Sequence, residues 1–274
     1  MDQVRQPTNR SPLRILLAGA SGHMGQIVSE LIKQQPDDYQ LTAVLSGHQH
    51  PAEAVVPGWP GHLQALAGAN WEVLIDFSSP ALLPAIQELL SLHPAPAVLA
   101  TTGYNETELA QIKQLALTLP VFMSANMSLG IHVMQRLIAQ AARYLYPAYD
   151  IEIVEAHHRR KVDAPSGTAL LLAHTLQDEI HRAQGADLSL TFDRSQIRQA
   201  RPADEIGIAS IRGGNIAGEH EVIFAGQADI LTVRHSALSR SVFAQGALKA
   251  AAFLSNRAAG LYSMDDLLDQ LARP

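Results

Sequence analysis

Apolar residues in this chain alternate between short continuous runs and stripes at helical spacing. Arg14 to Ala18 is an apolar run closed by Gly19-Ala20-Ser21-Gly22-His23-Met24-Gly25, after which Ile27, Val28, Leu31 and Ile32 recur at the helical period. Further short runs follow at Gln40–Leu45, Trp71–Ile75, Ala97–Ala100 and Val121–Met123. Between the later runs, Pro80 opens a helix to about Leu92, and Asn105 with Glu108 forms a capping pair for a helix to about Leu117. Strands alternating with helices predict a parallel, doubly wound sheet, with ligands beyond the carboxyl ends of its strands.

The second half has a different texture. Gly130 to about Leu145 is amphipathic, with Val133, Met134, Leu137, Ile138 and Ala141 on the expected apolar face. A strand over Asp150–Glu155 leads into a polar stretch, and a helix follows from Ala169 to about Ala183. The runs Leu188–Phe192, Ile206–Ile211, Glu221–Phe224 and Ile230–His235 then succeed one another without helices, which predicts a mixed or antiparallel open sheet in an α+β unit. A sheet apolar on both faces, as at Ile206-Gly207-Ile208, also suits an oligomer interface. Helices over Arg240–Ser255 and from Ser263, the latter capped with help from Asp266, are expected to return to the first domain.

Length and composition narrow the class. At 274 residues, about two domains are expected. The chain has no cysteine, which excludes disulfide and thiolate chemistry and fits a reducing, cytoplasmic setting. Residues 1–12 are polar with Arg5 and Arg10 and read as a flexible extension rather than a secretory signal. No apolar run approaches the roughly 20 residues of a membrane span. The net charge of −6 is concentrated in residues 34–112, which hold eight acids and no lysine or arginine. Such a first half argues against nucleic acid as a partner.

The glycine turn lies between a strand and a helix, the setting that gives such motifs meaning. Gly19 and Gly22 allow close approach of a pyrophosphate, Gly25 allows the helix to pack on the strand, and the helix start offers N–H groups to phosphate. Spacing is G-x-x-G-x-x-G, with Ser21 at the usual second glycine. At the end of the second strand, Leu45-Ser46-Gly47-His48 contains no acid to bind a ribose hydroxyl and no arginine to clamp a 2′-phosphate. His23, Ser46 and His48 are the evident donors, so the reading favours NADPH, or use of both NADPH and NADH. The polar strand ends Ser78-Ser79, Thr101-Thr102 and Asn126 fall on the ligand edge; simple helix capping is the alternative for them.

The densest chemistry is Glu155-Ala156-His157-His158-Arg159-Arg160-Lys161-Val162-Asp163-Ala164-Pro165-Ser166-Gly167-Thr168. Two imidazoles, three cations and two carboxylates lie between a strand and a helix. Of twenty cationic side chains only four are lysine, and Lys161 is one; lysine can hand over a proton where arginine cannot. Ser166-Gly167-Thr168 stands at a helix N-terminus, a place for a carboxylate, and suggests an anionic substrate. A solvated basic loop is the bland alternative. Adjacent His157 and His158 point to opposite faces of a strand and are poorly placed to grip one metal ion, so no metal is expected.

These residues carry a resemblance. The central stretch is similar to the signature of the 4-hydroxy-tetrahydrodipicolinate reductase (dihydrodipicolinate reductase) family of bacterial diaminopimelate and lysine synthesis. So are Gly19-x-x-Gly22-x-Met24-Gly25, Ile75-Asp76-Phe77, Thr101-Thr102-Gly103, Asn126-x-Ser128-x-Gly130 and Gly218-Glu219-His220, which together span nearly the whole chain after residue 12. The resemblance implies a dinucleotide-binding domain over 13–127 and 241–274, and a substrate and oligomerisation domain over 128–240 that forms a homotetramer. It implies His157 as general acid/base and Lys161 as proton donor, with His158, Gly167 and Thr168 holding a cyclic dicarboxylate. It implies a cofactor site of Gly19, Ala20, Ser21, Gly22, His23, Met24, Ala100, Thr101, Thr102, Ser124, Ala125, Asn126 and Met127; Ser46 is a candidate by its own place at the second strand's end. Ser46 and Gly47 replace an acid and an arginine of some members, His23 an arginine, and Ala100 a glycine; these departures bear on cofactor preference, not on the reaction. A regulator that senses NADP would not need His157, Lys161 and the Gly167-Thr168 turn together. A reductase of another cyclic imine stays open.

Overall fold

The computed structural model describes residues 11–45 and 63–273. The chain forms two compact units, one of residues up to Met127 together with those from Ser241 onward, the other Ser128–Arg240. Ser46, Gly47, His48 and most of the Pro/Gly-rich loop and of the N-terminal extension lie outside the described residues.

In chain order the elements are β1 (Leu13–Ala18), α1 (His23–Gln34), β2 (Tyr39–Leu45), α2 (Leu63–Ala67) and β3 (Val73–Asp76). A short 3₁₀ turn (Pro80–Leu82) leads into α3 (Leu83–Leu92), followed by β4 (Ala97–Leu99), α4 (Glu106–Leu115) and β5 (Pro120–Met123). The second unit comprises α5 (Leu129–Leu145), β6 (Asp150–His157), α6 (Gly167–Gln184), β7 (Ser189–Thr191), β8 (Glu205–Arg212), β9 (Gly218–Ala225) and β10 (Ile230–Ala237). The chain closes with α7 (Ser241–Leu254), β11 (Gly260–Tyr262) and α8 (Met264–Leu271).

The first unit is the expected doubly wound sheet, in the order β11-β5-β4-β3-β1-β2 with every pairing parallel. Helices cover both faces, so Ile15, Leu16, Leu17 and Ala18 on β1 are all fully buried rather than alternating. Asn105 and Glu108 exchange the two bonds of a capping box at α4, 2.9 and 2.7 Å long. Asp266 likewise accepts from the backbone and hydroxyl of Ser263 at 2.7 and 2.8 Å. Strand β11 was not anticipated, because three residues of Gly-Leu-Tyr show no period. Trp71 precedes β3 rather than starting it: its indole N–H donates to the carbonyl of Leu66 at 2.7 Å, and its ring lies on that of His93.

The second unit sets α5 and α6 on one face of a mixed sheet of order β10-β9-β6-β8-β7. Strand β8 runs parallel to β6 and β7, whereas β9 runs antiparallel to β6 and β10. The core joins Met134, Ile138 and Ala142 of α5 and Leu172, Leu176 and Ile180 of α6 to Ile151, Ile153, Ile206, Ile208, Val222 and Phe224 of the sheet. The buried stripe of α5 therefore differs from the expected one. Val133 and Leu137 are 44% and 50% exposed, each lying about 100° around the helix from its buried neighbour. An apolar pattern with two overlapping stripes does not say which one meets the sheet.

Helix α7 packs so closely on the chain at Met127 that a Cβ at Gly246 would stand 1.7 Å from the Met127 carbonyl oxygen. Gly246→Ala should therefore lose about 1–3 kcal/mol in urea denaturation. Gly68→Ala, whose Cβ would keep ordinary 3.6 Å contacts, should change stability by less than about 0.5 kcal/mol. Equal midpoints for the two variants would contradict this packing.

Candidate active site

In the first unit the ligand edge is built by glycine sterics. Gly19 has φ of +79°, and a Cβ there would lie 2.6 Å from the carbonyl oxygen of Phe77. The amide of Gly22 donates to Gly19 O at 2.9 Å to close the turn. A Cβ at Gly25 would come within 2.2 Å of that same oxygen, so helix α1 meets the turn at glycine distance. Helix α1 is capped by Gly22 with no side-chain cap, and its first turn holds no acid. Gly22 and His23 are exposed and Ser21 and Met24 half-buried, whereas Ala20 is buried in the packing.

The end of β3 lies beside that of β1 in the sheet, with the ends of β4 and then β5 beyond it. Ala100 and Thr101 are buried and Thr102 exposed at the end of β4. After β5, the hydroxyl of Ser124 donates to Asn126 O at 2.6 Å; Ala125 is exposed, while Asn126 and Met127 are buried. The strand ends thus bring together all the described residues of the expected cofactor set. Asp76, at the end of β3, was not among them. Its fully buried carboxylate has a raised pKa, because burial outweighs hydrogen bonds from Ser78 and Tyr104.

The second unit holds the densest cluster of titratable side chains singled out from the sequence. Along β6 the buried face reads Ile151, Ile153, Glu155, His157, so strand parity places the last two side by side, facing the α6 side of the sheet. Glu155 is fully buried, and all its oxygen capacity is used. Arg212 grips it in bidentate fashion at 2.8 and 2.6 Å, the amide of Ser166 donates at 3.1 Å, and His157 Nδ1 lies 2.5 Å from Oε2. Burial alone would raise the Glu155 pKa; hydrogen bonds from Arg212, Ser210 and His157 override it and hold the carboxyl at about 2.

An ionised Glu155 can only accept, so His157 donates from Nδ1. Nε2 is then the bare nitrogen, and it forms no hydrogen bond among the described residues. It faces Gly218, where an added Cβ would stand 3.2 Å away. Burial pushes His157 below the ordinary imidazole pKa, against the pull of Glu155, with Lys161 and Arg212 adding to the depression. The ring of His220 meets that of His157 edge to face at 5.1 Å. Burial, with His157 next, lowers His220 to about 4, and its Nε2 lies 3.1 Å from the Ser166 hydroxyl.

The remaining predicted residues surround this pair. Lys161 donates to Asp163 at 2.8 Å and keeps a partly exposed ammonium. His158 does not share the face of His157. Its Nε2 accepts from Arg240 at 3.0 Å, so it is neutral with the hydrogen on Nδ1; desolvation and then Arg240 and Arg160 lower its pKa. Gly167 and Thr168 form the first turn of α6, whose N–H groups the helix itself cannot use. Ser166, the N-cap, accepts from Ala169 N–H at 3.1 Å. A Cβ on Gly167 would meet nothing within 4 Å, so the approach to this turn is open.

Glu155 and Ser166 lie in the stretch singled out from sequence but were given no role of their own there, and neither were Arg212 and His220. Strand parity could have paired Glu155 with His157, and Ser166 stands as a helix cap. Arg212 and His220 come from other strands; His220 was named only within the Gly218-Glu219-His220 motif, and Arg212 had no local signal. Among the described residues no three metal-ligating side chains converge, and no helix is long and apolar enough to cross a membrane.

A doubly wound unit with a glycine turn, joined in one chain to a mixed-sheet unit with a carboxylate-backed imidazole, defines the class as a two-unit oxidoreductase. Residues 13–127 match the family described as dihydrodipicolinate reductase, N-terminus, and residues 130–268 its C-terminus. The chain belongs to the dihydrodipicolinate reductase family. It is 40% identical over 255 residues to the 4-hydroxy-tetrahydrodipicolinate reductase of Clostridium novyi (strain NT), covering 93% of this chain and 98% of that one. It is 41% identical over 260 residues to the enzyme of the same name from Exiguobacterium sp. (strain ATCC BAA-1283 / AT1b), covering 94% and 96%. In fold it resembles a dipicolinate-bound dihydrodipicolinate reductase from Paenisporosarcina sp. TG-14, with a TM-score of 0.74 at 24% identity over 92% of this chain and 97% of that one.

Glu155 contributes stability only while ionised in the fold. With its folded pKa held near 2, below the ordinary carboxyl value, that contribution is complete above about pH 4.5 and is lost as pH falls towards 2. Glu155→Ala, which strands Arg212, should cost about 3 kcal/mol at pH 7 in chemical denaturation, with the gap to wild type closing below pH 4.5. A gap independent of pH would contradict the ion pair.

Proposed function

We propose that the chain catalyses the NAD(P)H-dependent reduction of 4-hydroxy-tetrahydrodipicolinate to tetrahydrodipicolinate, releasing water. The observation that carries this reading is the buried Glu155–His157 pair with its bare Nε2, near Lys161 and the open first turn of α6, in a chain of this family. The first unit is read as the dinucleotide-binding domain and the second as the substrate domain.

The glycine turn fits a pyridine dinucleotide: its three glycines leave backbone where a side chain would stand, and α1 begins without an acid or a side-chain cap. Gly19, Ala20, Ser21, Gly22, His23 and Met24 would hold the phosphates, and Ala100 to Thr102 and Ser124 to Met127 would line the remainder. When bound, the reduced nicotinamide supplies the hydride. We take NADPH as preferred or both cofactors as usable.

In the second unit, Gly167 and Thr168 receive one substrate carboxylate at the α6 N-terminus, where backbone N–H groups and the helix dipole favour an anion. His158 offers Nδ1–H to the dicarboxylate. Loss of the hydroxyl as water leaves a C=C conjugated to the ring imine; hydride addition at that C=C drives electrons towards the ring nitrogen, and a proton completes the step. Lys161 is the proton donor. His157 is neutral in the free protein and so begins as a base; a bound dianion raises its pKa and allows it to act as an acid. Proton transfer of this kind is worth about 10²–10⁴-fold.

Assembly as a homotetramer is assigned to the open face of the mixed sheet, where Ile211 and Ile230 are exposed. The absence of cysteine is in keeping with a cytoplasmic protein.

The test is oxidation of NADPH and NADH followed at 340 nm, with substrate generated from pyruvate and aspartate semialdehyde. Turnover is expected with both cofactors, with kcat/KM for NADPH at least equal to that for NADH. A strong NADH preference would overturn the cofactor reading alone, and no turnover with either would overturn the reaction. His157→Gln and Lys161→Ala should each lower kcat by about 10²–10⁴-fold. Gly167→Ala should fold normally and raise KM for the cyclic substrate; unchanged kinetics in all three would remove the assigned roles.

A further inference from the structure

Three features of the second unit meet at one buried carboxylate. Glu155 Oε2 takes the Nδ1 hydrogen of His157 at 2.5 Å, while Oε1 takes the backbone N–H of Ser166 at 3.1 Å. Both oxygens are also held by Arg212, whose own position is fixed by bonds to the carbonyls of Ile211 and Asp163 at 2.7 and 2.6 Å. The carboxylate therefore lies between the acid/base and the residue that caps α6, and it cannot swing away from either.

We infer that Glu155 is a positioning residue: it holds His157 as the Nδ1–H tautomer with Nε2 directed to substrate, and through Ser166 it holds the Gly167-Thr168 turn in register with that nitrogen. This inference rests on the reading of His157 as the acid/base. The effect has two parts. A carboxylate acceptor at Nδ1 leaves Nε2 as the only nitrogen able to take or give a proton, since a neutral imidazole carries one hydrogen. Its negative charge also favours the imidazolium that forms when His157 accepts a proton.

The charged and titratable groups facing His157 are few. Glu155 shares its strand, Arg212 comes from β8, His220 from β9 and Lys161 from the loop after β6; the first turn of α6 brings no acid. Glu155 is the anion bonded to His157, whereas Asp163 is paired with Lys161 at 2.8 Å; neutralising Glu155 therefore removes the carboxylate that favours the imidazolium. Gly218 completes the arrangement by leaving room at Nε2, where any side chain would crowd the nitrogen.

The inference is tested first on the wild-type protein, by ¹⁵N NMR of histidine-labelled enzyme at pH 7.5. His157, identified by loss of its signals in His157→Gln, should show a protonated Nδ1 and a bare Nε2; a dominant Nε2–H tautomer would overturn the proposal whether or not any variant folds. The second arm is Glu155→Gln. The expected result is a fall in kcat of at least about tenfold with KM for the cofactor unchanged. The limb of the pH–rate profile on which activity falls with rising pH should also move to lower pH. A variant that loses rate while keeping the wild-type profile and tautomer would show Glu155 to be merely structural. Absence of turnover in the wild type would instead defeat the assigned reaction, and the NMR result would stand apart from it.

Discussion

The second unit depends on keeping one carboxylate ionised with no access to water. Burying a lone anion costs several kcal/mol, so Glu155 is tolerable only with every lone pair engaged. Its partners come from three places in the unit: His157 two residues on in the same strand, Ser166 at the start of α6, and Arg212 on β8, far away in sequence. Satisfying the charge therefore sets the register of β6 against β8, and it draws the loop between β6 and α6 inward through the bond from Arg212 to the Asp163 carbonyl. The same network gives a neutral imidazole with one bare nitrogen, near a cationic lysine and a helix start. Structural compensation and chemical readiness have one cause here.

The first unit is governed by exclusion rather than charge. At Gly19 and Gly25 a single methyl group would strike backbone oxygen, which cannot move aside as a flexible side chain can. That crowding brings β1, the turn and α1 together and leaves main chain, not side chains, along the glycine turn. A site of this kind recognises phosphate by shape and dipole, which suits a unit whose described residues before α4 carry few cations. Helix α7 is held to the same standard at Gly246, so the C-terminal elements belong to this unit by close packing.

Much of this was legible in the sequence because it is local. The glycine turn sits between a strand and a helix, Asn105 and Glu108 are three apart, and β6 ends in a polar stretch; each signal lies within a few residues. The mixed sheet could be inferred from strands without intervening helices, but its order could not, since strand pairing is a matter of contacts distant in sequence. The α5 stripe was misread because Val133 and Leu137 are as apolar as Met134 and Ile138. The site showed the same divide. His157, Lys161 and Gly167 stand in one stretch, while Arg212 and His220 reach it only through the register of β8 and β9. The opposite facing of His157 and His158 follows from strand parity, but the Arg240 partner of His158 lies 82 residues away and has no local signal.

The central claim is that the acid/base and the carboxylate-binding turn form one unit around Glu155. The most direct measurement is a titration of the wild-type protein with pyridine-2,6-dicarboxylate, followed at the backbone amides of Gly167 and Thr168 and at the His157 ring nitrogens. The account predicts that the amides move together with Nε2 at a common dissociation constant, and that the pKa of His157 rises on binding. Saturable binding that shifts distant amides and leaves these three groups unmoved would contradict it.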